Sequence, residues 1–310
     1  MLTNDLHGSM NYHRPVMLNE CIEGLNIRPD GVYVDVTFGG GGHSRAIMEV
    51  LNECGRLYAF DQDADAMANA IEDSRFELIH ENFRYLKSFL RLRGVRRVNG
   101  IIADLGVSSH QFDVAERGFS TRQNGELDLR MDRRQEMTAR DLVNNADEAE
   151  LTKILRMYGE LPNAYQMAKA IVRYRAEKSI DTTFDLREAV SHHLPRGMEN
   201  KYLAMLFQAL RIEVNGELEA LKAMLQQAVE ILEPQGRLVV MSYHSLEDRL
   251  VKNFFKTGNF EGELKKDFYG NPIVPLKLVT RKAVVASETE LQVNNRARSA
   301  KLRVAERCAE

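Results

Sequence analysis

The 310-residue chain lacks what several common classes of protein need. Its three cysteines, Cys21, Cys54 and Cys308, are far apart and form neither a C-x-x-C pair nor an even-numbered framework. That excludes a disulfide-stapled secreted scaffold and points to a reducing cytoplasm. No apolar run reaches the roughly 20 residues that span a bilayer, so no membrane partner is expected. Met1–Met10 has neither the basic nor the apolar region of a signal peptide and reads as a frayed leader. The eight histidines show no metal-ligand spacing; His192 and His193 are adjacent and leave a helix in different directions, so no metal is expected. A net charge of −3 gives no overall sign of a polyanionic partner, and any nucleic-acid contact must come from local patches. What remains, 44% hydrophobic and 28% charged residues, suits an ordinary globular protein with room for one large domain or two ordinary ones.

Within that composition, Val32–Ser44 (V-Y-V-D-V-T-F-G-G-G-G-H-S) stands out. A β-branched apolar run that meets an acid, crosses four glycines and enters a helical pattern is how a doubly wound sheet opens a nucleotide site. Glycine tolerates positive φ there and lets backbone approach a ligand closely; the alternative is a flexible surface loop. The dinucleotide fingerprint G-x-G-x-x-G fails in both registers, because Ser44 and Arg45 stand where the third glycine belongs. No lysine follows in the position a P-loop requires. A ligand without a pyrophosphate is favoured.

Taken in order, His13–Leu25 is helix-like and stops at the Arg28-Pro29-Asp30-Gly31 turn. Strand-like runs follow at Gly31–Val36, Arg56–Asp61, Phe76–Ile79 and Asn99–Ser109, with helical patterns at Ser44–Leu51, Asp63–Ile71 and Arg84–Arg93 between them. From His110 to Glu217 the strand-helix alternation lapses into helix-like sequence punctuated by Gly125, Gly159, Pro162 and Pro195. A helix over Leu218–Leu232, the Glu233-Pro234-Gln235-Gly236 turn and a fifth strand, Arg237–Ser245, restore the pattern. A helix at Glu247–Phe255 and β-like runs at Leu276–Ala286 and Ala300–Ala305 close the chain. The predicted fold is α/β: a class I (Rossmann-like) methyltransferase sheet of five parallel strands plus a C-terminal antiparallel pair. Residues 1–109 and 218–310 form it, and 110–217 form an inserted, mainly helical domain for substrate recognition.

Three strands carry an acid at the carboxyl edge, where ligands collect in open α/β sheets: Asp35, Asp61 and Asp104. Asp61, 20 residues beyond Gly41, is placed to accept hydrogen bonds from a ribose; alternatively it caps the helix that follows. Phe83 either stacks on an adenine or packs in the core. A cationic amine, a ribose and an adenine amino group would satisfy the three acids, and S-adenosylmethionine has all three. Its methyl group is already activated, so the protein has only to orient an acceptor.

Six stretches carry a resemblance: H-R-P-V-M-L (His13–Leu18), D-V-T-F-G-G-G-G-H-S (Asp35–Ser44), D-L-G-V-S-S (Asp104–Ser109), L-D-L-R-M-D (Leu127–Asp132), S-Y-H-S-L-E-D-R (Ser242–Arg249) and R-A-R-S-A-K-L-R (Arg296–Arg303). In content and order they are similar to the bacterial ribosomal RNA small subunit methyltransferase H family. The resemblance implies methyl transfer from S-adenosylmethionine to the exocyclic N4 of a cytidine in the decoding region of 16S ribosomal RNA, within the small subunit. Residue by residue, it implies cofactor contacts from Gly41, Gly42, His43, Asp61, Phe83, Asp104 and Gln111. Three positions depart from the family pattern: Asn295 stands for a proline, Asn124-Gly125-Glu126 for D-G-P, and Tyr243 for a common phenylalanine.

A cytosine amine is a poor nucleophile because its lone pair is delocalised, so an acceptor at the strand edge must draw on its protons. Asp104, the Leu105 carbonyl, Ser108 and Ser109 are the candidates. His244 and Ser245 either line the same pocket or cap the helix near Glu247. Arg296, Arg298, Lys301 and Arg303 form one basic cluster and Arg91, Arg93, Arg96 and Arg97 another; each is a phosphate contact or a solvated face. Two rival readings are a methyltransferase for another amine acceptor and an NAD-dependent oxidoreductase; the chain's association state stays open.

Overall fold

The computed structural model describes residues 15–309, so Met1–Met10, His13 and the start of the first motif lie outside the described residues. Seven strands form one sheet: β1 (Val32–Asp35), β2 (Arg56–Asp61), β3 (Phe76–His80), β4 (Val98–Asp104), β5 (Leu232–Ser242), β6 (Leu276–Leu278) and β7 (Lys301–Arg307). Their order is β3-β2-β1-β4-β5-β7-β6. The first five run parallel, and β7 pairs antiparallel with β5 on one side and β6 on the other. This is the class I methyltransferase sheet. The chain steps outward from β1 to β3, then returns to β4 on the other side of β1, which opens a crevice between β1 and β4 at their carboxyl ends. Asp35, Asp61 and Asp104 are the last residues of β1, β2 and β4 and share that edge.

The central strands read as unbroken apolar runs because both faces are covered. Ile101, Ile102 and Ala103 on β4 and Leu238 to Met241 on β5 are buried; each large side chain among them stabilises the fold by about 1.5–3 kcal/mol on transfer alone. Helices α1 (Leu18–Leu25) and α2 (Gly42–Val50) supply Cys21, Leu25, Ile47 and Met48 to a core with Leu57, Ile102 and Val239. On the opposite face α3 (Leu86–Leu92), α10 (Glu217–Ile231) and α11 (Ser245–Thr257) pack on Val34, Ile101, Leu238 and Val240.

Between β4 and α10 lie α4 (Ser109–Asp113), α5 (Ala139–Asn145), α6 (Glu148–Met157), α7 (Ala164–Glu177), α8 (Thr183–Val190) and α9 (Glu199–Asn215); α12 (Glu288–Val293) comes later, before β7. A separate apolar core runs through α5 to α9, and its buried members all fall between Phe119 and Val214. Gly216, at φ 57°, ends α9 in the left-handed region and passes directly into α10.

Several boundaries move. The expected strand Asn99–Ser109 stops at Asp104, because Gly106 takes φ 97° and Ser108 already caps α4. The run Leu276–Ala286 is strand only over Leu276–Leu278; beyond it a single bridge joins Val284 to Leu302. Asp63–Ile71 forms a 3-10 segment, Ala64–Asn69, capped by Asp63. The Glu233–Gly236 turn is an excursion within β5, whose pairing with β4 jumps from Leu232 to Arg237. Ser245 leaves the fifth strand and begins α11.

Candidate active site

The glycine loop closes between β1 and α2. Gly39 at φ 52° and Gly41 at φ 75° use the left-handed region. A side chain on Gly40 would meet nothing within 4 Å, whereas one on Gly42 would reach Pro15 at 2.1 Å. The loop is thus open on its cavity side and tight against the chain N-terminal to α1. Gly39, Gly40 and Gly42 line a cavity of about 1330 Å³ at the carboxyl edge of the sheet, with His43, Asp61, Phe83, Asp104, Ser108, Ser109 and Gln111.

Two of the three strand-end acids face this cavity. Asp61 accepts one backbone N–H on each oxygen, from Gly39 at 2.7 Å and Asp63 at 2.8 Å, and so ties the loop to the end of β2. It does not cap the following 3-10 segment; Asp63 does, accepting from the Asp65 N–H. Burial raises the Asp61 carboxyl to about 6, against the lowering effect of those two donors. Asp104 is likewise raised to about 6 by burial, with His43 and Tyr243 acting the other way. The Tyr243 hydroxyl donates to its Oδ1 at 2.7 Å, and His43 Nδ1 lies 3.8 Å from its Oδ2. Asp35 sits elsewhere than expected. It is buried below the loop, outside the cavity wall, with one oxygen accepting from Ser44 Oγ at 2.7 Å and the other from the Thr37 N–H at 3.0 Å. Its carboxyl therefore braces the loop from beneath. Gly41 and Arg298 are also absent from the wall.

The far wall comes from the segment after β4. Ser108 caps α4, its Oγ accepting from the Gln111 N–H while Gln111 Oε1 accepts from the Ser108 N–H. Gln111 also donates to Asp63 Oδ2 at 2.7 Å. Arg117 is fully buried and donates to Asp63, Asp65 and the carbonyls of Arg130 and Met131. The chain after β4 is thereby fastened to the loop after β2. Phe83 packs on the sheet core and also lines the cavity.

Opposite the glycine loop the cavity continues to Arg211, Glu217, Tyr243, His244 and Glu247. His244 caps α11 and lines the wall as well. Its Nε2 lies 3.2 Å from Glu247 Oε1 without hydrogen-bond geometry. Burial pushes the Glu247 carboxyl up, but His244 and the Tyr243 N–H outweigh it and hold it below the usual range. Glu217, His244 and Glu247 could converge on a cation, yet Arg211 already donates to both Glu217 oxygens, at 2.7 and 3.0 Å. The group is an ion-pair network. No local motif announces it, because Arg211 and Glu217 belong to different helices and meet His244 only through the fold.

Of the basic clusters, Arg296 lines the cavity mouth, 3.8 Å from Asp113 and with its guanidinium over the Phe112 ring. Lys301 and Arg303 both bond Asp248. Arg93 donates to Glu77 and Arg97 to the carbonyls of Glu230 and Leu232, so much of the first cluster is spent within the protein.

The family model for the MraW methylase family matches residues 10–308. The chain belongs to the MraW methylase family. Curated relatives of this methylase include the ribosomal RNA small subunit methyltransferase H of Flavobacterium johnsoniae, 55% identical over 96% of this chain and 99% of that protein. The protein of the same name from Bacteroides thetaiotaomicron is 54% identical over 96% of this chain and 98% of its own length. Among solved structures, an rRNA methylase from Streptococcus thermophilus aligns over 94% of both chains with 12% identity and a TM-score of 0.42.

Proposed function

We propose that the protein transfers a methyl group from S-adenosylmethionine to the exocyclic N4 of a cytidine in the decoding region of 16S ribosomal RNA, presented by the small subunit. The observation that carries this reading is one cavity in which an open glycine loop, the ribose-side Asp61 and the desolvated Asp104 meet, in a chain 55% identical to a ribosomal RNA small subunit methyltransferase H. The residues suit the cofactor: a side chain on Gly40 would project into the free space, and two half-buried carboxylates, Asp61 and Asp104, face the cavity and could take a hydroxyl donor and a cation.

When bound, S-adenosylmethionine supplies a methyl group activated by its sulfonium. Asp61 accepts from the ribose, and Phe83 and Gln111 complete the wall. Asp104 accepts a hydrogen from the acceptor amine, aligning its lone pair, and takes up the proton the nitrogen sheds as the new N–C bond forms. Tyr243 holds Oδ1, which leaves Oδ2 for that task. Ser108 and Ser109 stand beside it at the start of α4. Residues 110–217 act as the RNA-facing domain, a role supported by their separate core and by cavity-lining residues at both ends, Gln111 and Glu217. His244 and Arg296, which line the cavity, and Arg298 and Lys301 outside it are the candidate RNA contacts.

The test is transfer of labelled methyl from S-adenosylmethionine to small subunits isolated from cells without this enzyme. Label is expected on cytidine N4 in a nucleoside digest, and Asp104→Ala is expected to remove it. Label on any other nucleoside, or none, refutes the acceptor assignment; tight calorimetric binding of NAD in place of S-adenosylmethionine refutes the cofactor.

A further inference from the structure

A second group of residues lies away from the cavity and is unused by the chemistry above. Leu276 at the start of β6 pairs with Arg307, and the neighbouring Glu306 pairs with Arg237 on β5. The base of the loop between α11 and β6 is therefore at the opposite end of β5 from Ser242, about 17 Å along the strand. Its tip is Phe268 and Tyr269, 97% and 86% exposed, with rings 5.6 Å apart edge to face. The tip is built. Asp267 accepts from the Tyr269 and Asn271 N–H groups, both at 2.8 Å, and from Asn271 Nδ2 at 3.0 Å, and the Lys265 carbonyl accepts from the Ile273 N–H. Two large rings held out in water bring no stability to the isolated chain.

Near the base of this loop, where Gly258 meets Pro275, α11 and the segment after β6 enclose a cleft of about 270 Å³ lined by Lys252, Lys256, Thr280, Arg281 and Arg303. Arg303 is bonded to Asp248. Lys252, Lys256 and Arg281 have no hydrogen-bond or ion-pair partner among the described residues. The cleft shares no lining residue with the strand-end cavity. From Lys252 to Lys282 seven cations face three acids, in a chain whose net charge is −3.

We propose that the cleft and the finger form a second RNA-binding surface, in which the three unpaired cations take backbone phosphates of a single strand and Phe268 and Tyr269 stack on its bases. Clustered cations beside exposed rings are the composition that grips single strands without sequence preference. An apolar protein partner would leave the three charges buried and unpaired. The proposal rests on reading the protein as an RNA methyltransferase, and it adds a contact outside the strand-end cavity.

The experiment measures binding of a labelled oligouridylate by fluorescence anisotropy over a range of salt concentrations. It compares the full-length protein, a Lys252→Ala/Lys256→Ala/Arg281→Ala variant and a Phe268→Ala/Tyr269→Ala variant. The altered side chains are exposed, and unchanged calorimetric binding of S-adenosylmethionine checks the fold. Loss of three phosphate contacts lowers the slope of log K against log salt by about 2. Loss of the rings weakens binding about tenfold or more at an unchanged slope. Wild-type affinity and slope in both variants overturn the proposal. So does a loss confined to whole subunits with naked RNA unaffected, which assigns the surface to a ribosomal protein. Methyl transfer by the wild type reports separately on the catalytic reading: label on cytidine with no effect of either variant on RNA binding defeats the surface alone.

Discussion

Asp104 receives Tyr243 on one oxygen and faces His43 with the other, half-buried in the cavity wall. Removing the Tyr243 hydroxyl takes away a donor that favours the charged carboxylate, so the carboxyl of Asp104 rises further above about 6. Tyr243→Phe is expected to move the acid limb of the pH–rate profile to higher pH while the melting temperature changes little; an unmoved limb removes Tyr243 from the machinery. Only part of this was legible in the sequence. Asp61 and Asp104 could be picked out because each ends an apolar strand-like run, and strand ends converge in a parallel sheet. Asp35 fits the same pattern yet turns inward, since Thr37 and Ser44 lie within reach of its carboxylate and satisfy it there. Tyr243 read only as a departure from a common phenylalanine, and its partner lies 139 positions away.

The elements around the cavity depend on two junctions. At the first, α2 begins so close to Pro15 that Gly42→Ala would drive its Cβ to 2.1 Å from the ring. Relief requires the loop to shift, and the expected result is a lower melting temperature together with weaker S-adenosylmethionine binding by calorimetry. At the second, Arg117 joins the 3-10 turn after Asp61's strand, Ala115–Arg117 and the Leu127–Asp132 segment. Arg117→Ala leaves Asp63 buried without its cation, at a cost of about 3–5 kcal/mol, measurable by denaturant unfolding; a loss below about 1 kcal/mol would show that water replaces the guanidinium. Element types were readable from apolar periodicity. Boundaries were less so: Gly106 ends β4 early, and the run after Leu278 touches β7 only through Val279, Thr280 and the Val284–Leu302 bridge, too intermittently to continue the strand.

For the whole molecule, Asp61 and Asp104 set two opposite pH dependences. Both folded-state carboxyls lie near 6, above the ordinary unfolded value of about 3.9, so the folded ligand-free chain binds the extra protons. Their contribution to its stability is fully present below about pH 4 and is lost as pH rises through about 6. Under the proposed function, cofactor binding draws on the ionised carboxylates and runs the other way. At pH 8, S-adenosylmethionine at a hundred times its Kd is expected to stabilise the protein by about 2.7 kcal/mol. One carboxylate of pKa about 6 makes binding about tenfold weaker at pH 5, and the thermal shift at the same concentration shrinks accordingly. A ligand-induced shift that is constant from pH 8 to pH 5 would exclude both acids from the cofactor site.

The chain by itself determined the parallel sheet, the position of the glycine loop, the failure of a pyrophosphate fingerprint and the long helical interruption, because each follows from local periodicity or from glycine's conformational range. Tertiary structure alone decided which acids reach the cavity, that Arg117 fastens two loops, and that Arg211, Glu217, His244 and Glu247 form one ion-pair network. It also decided where the aromatic finger stands relative to the catalytic edge. These depend on the direction of a side chain at the end of a strand and on contacts between residues far apart in sequence, which packing sets and local sequence does not encode.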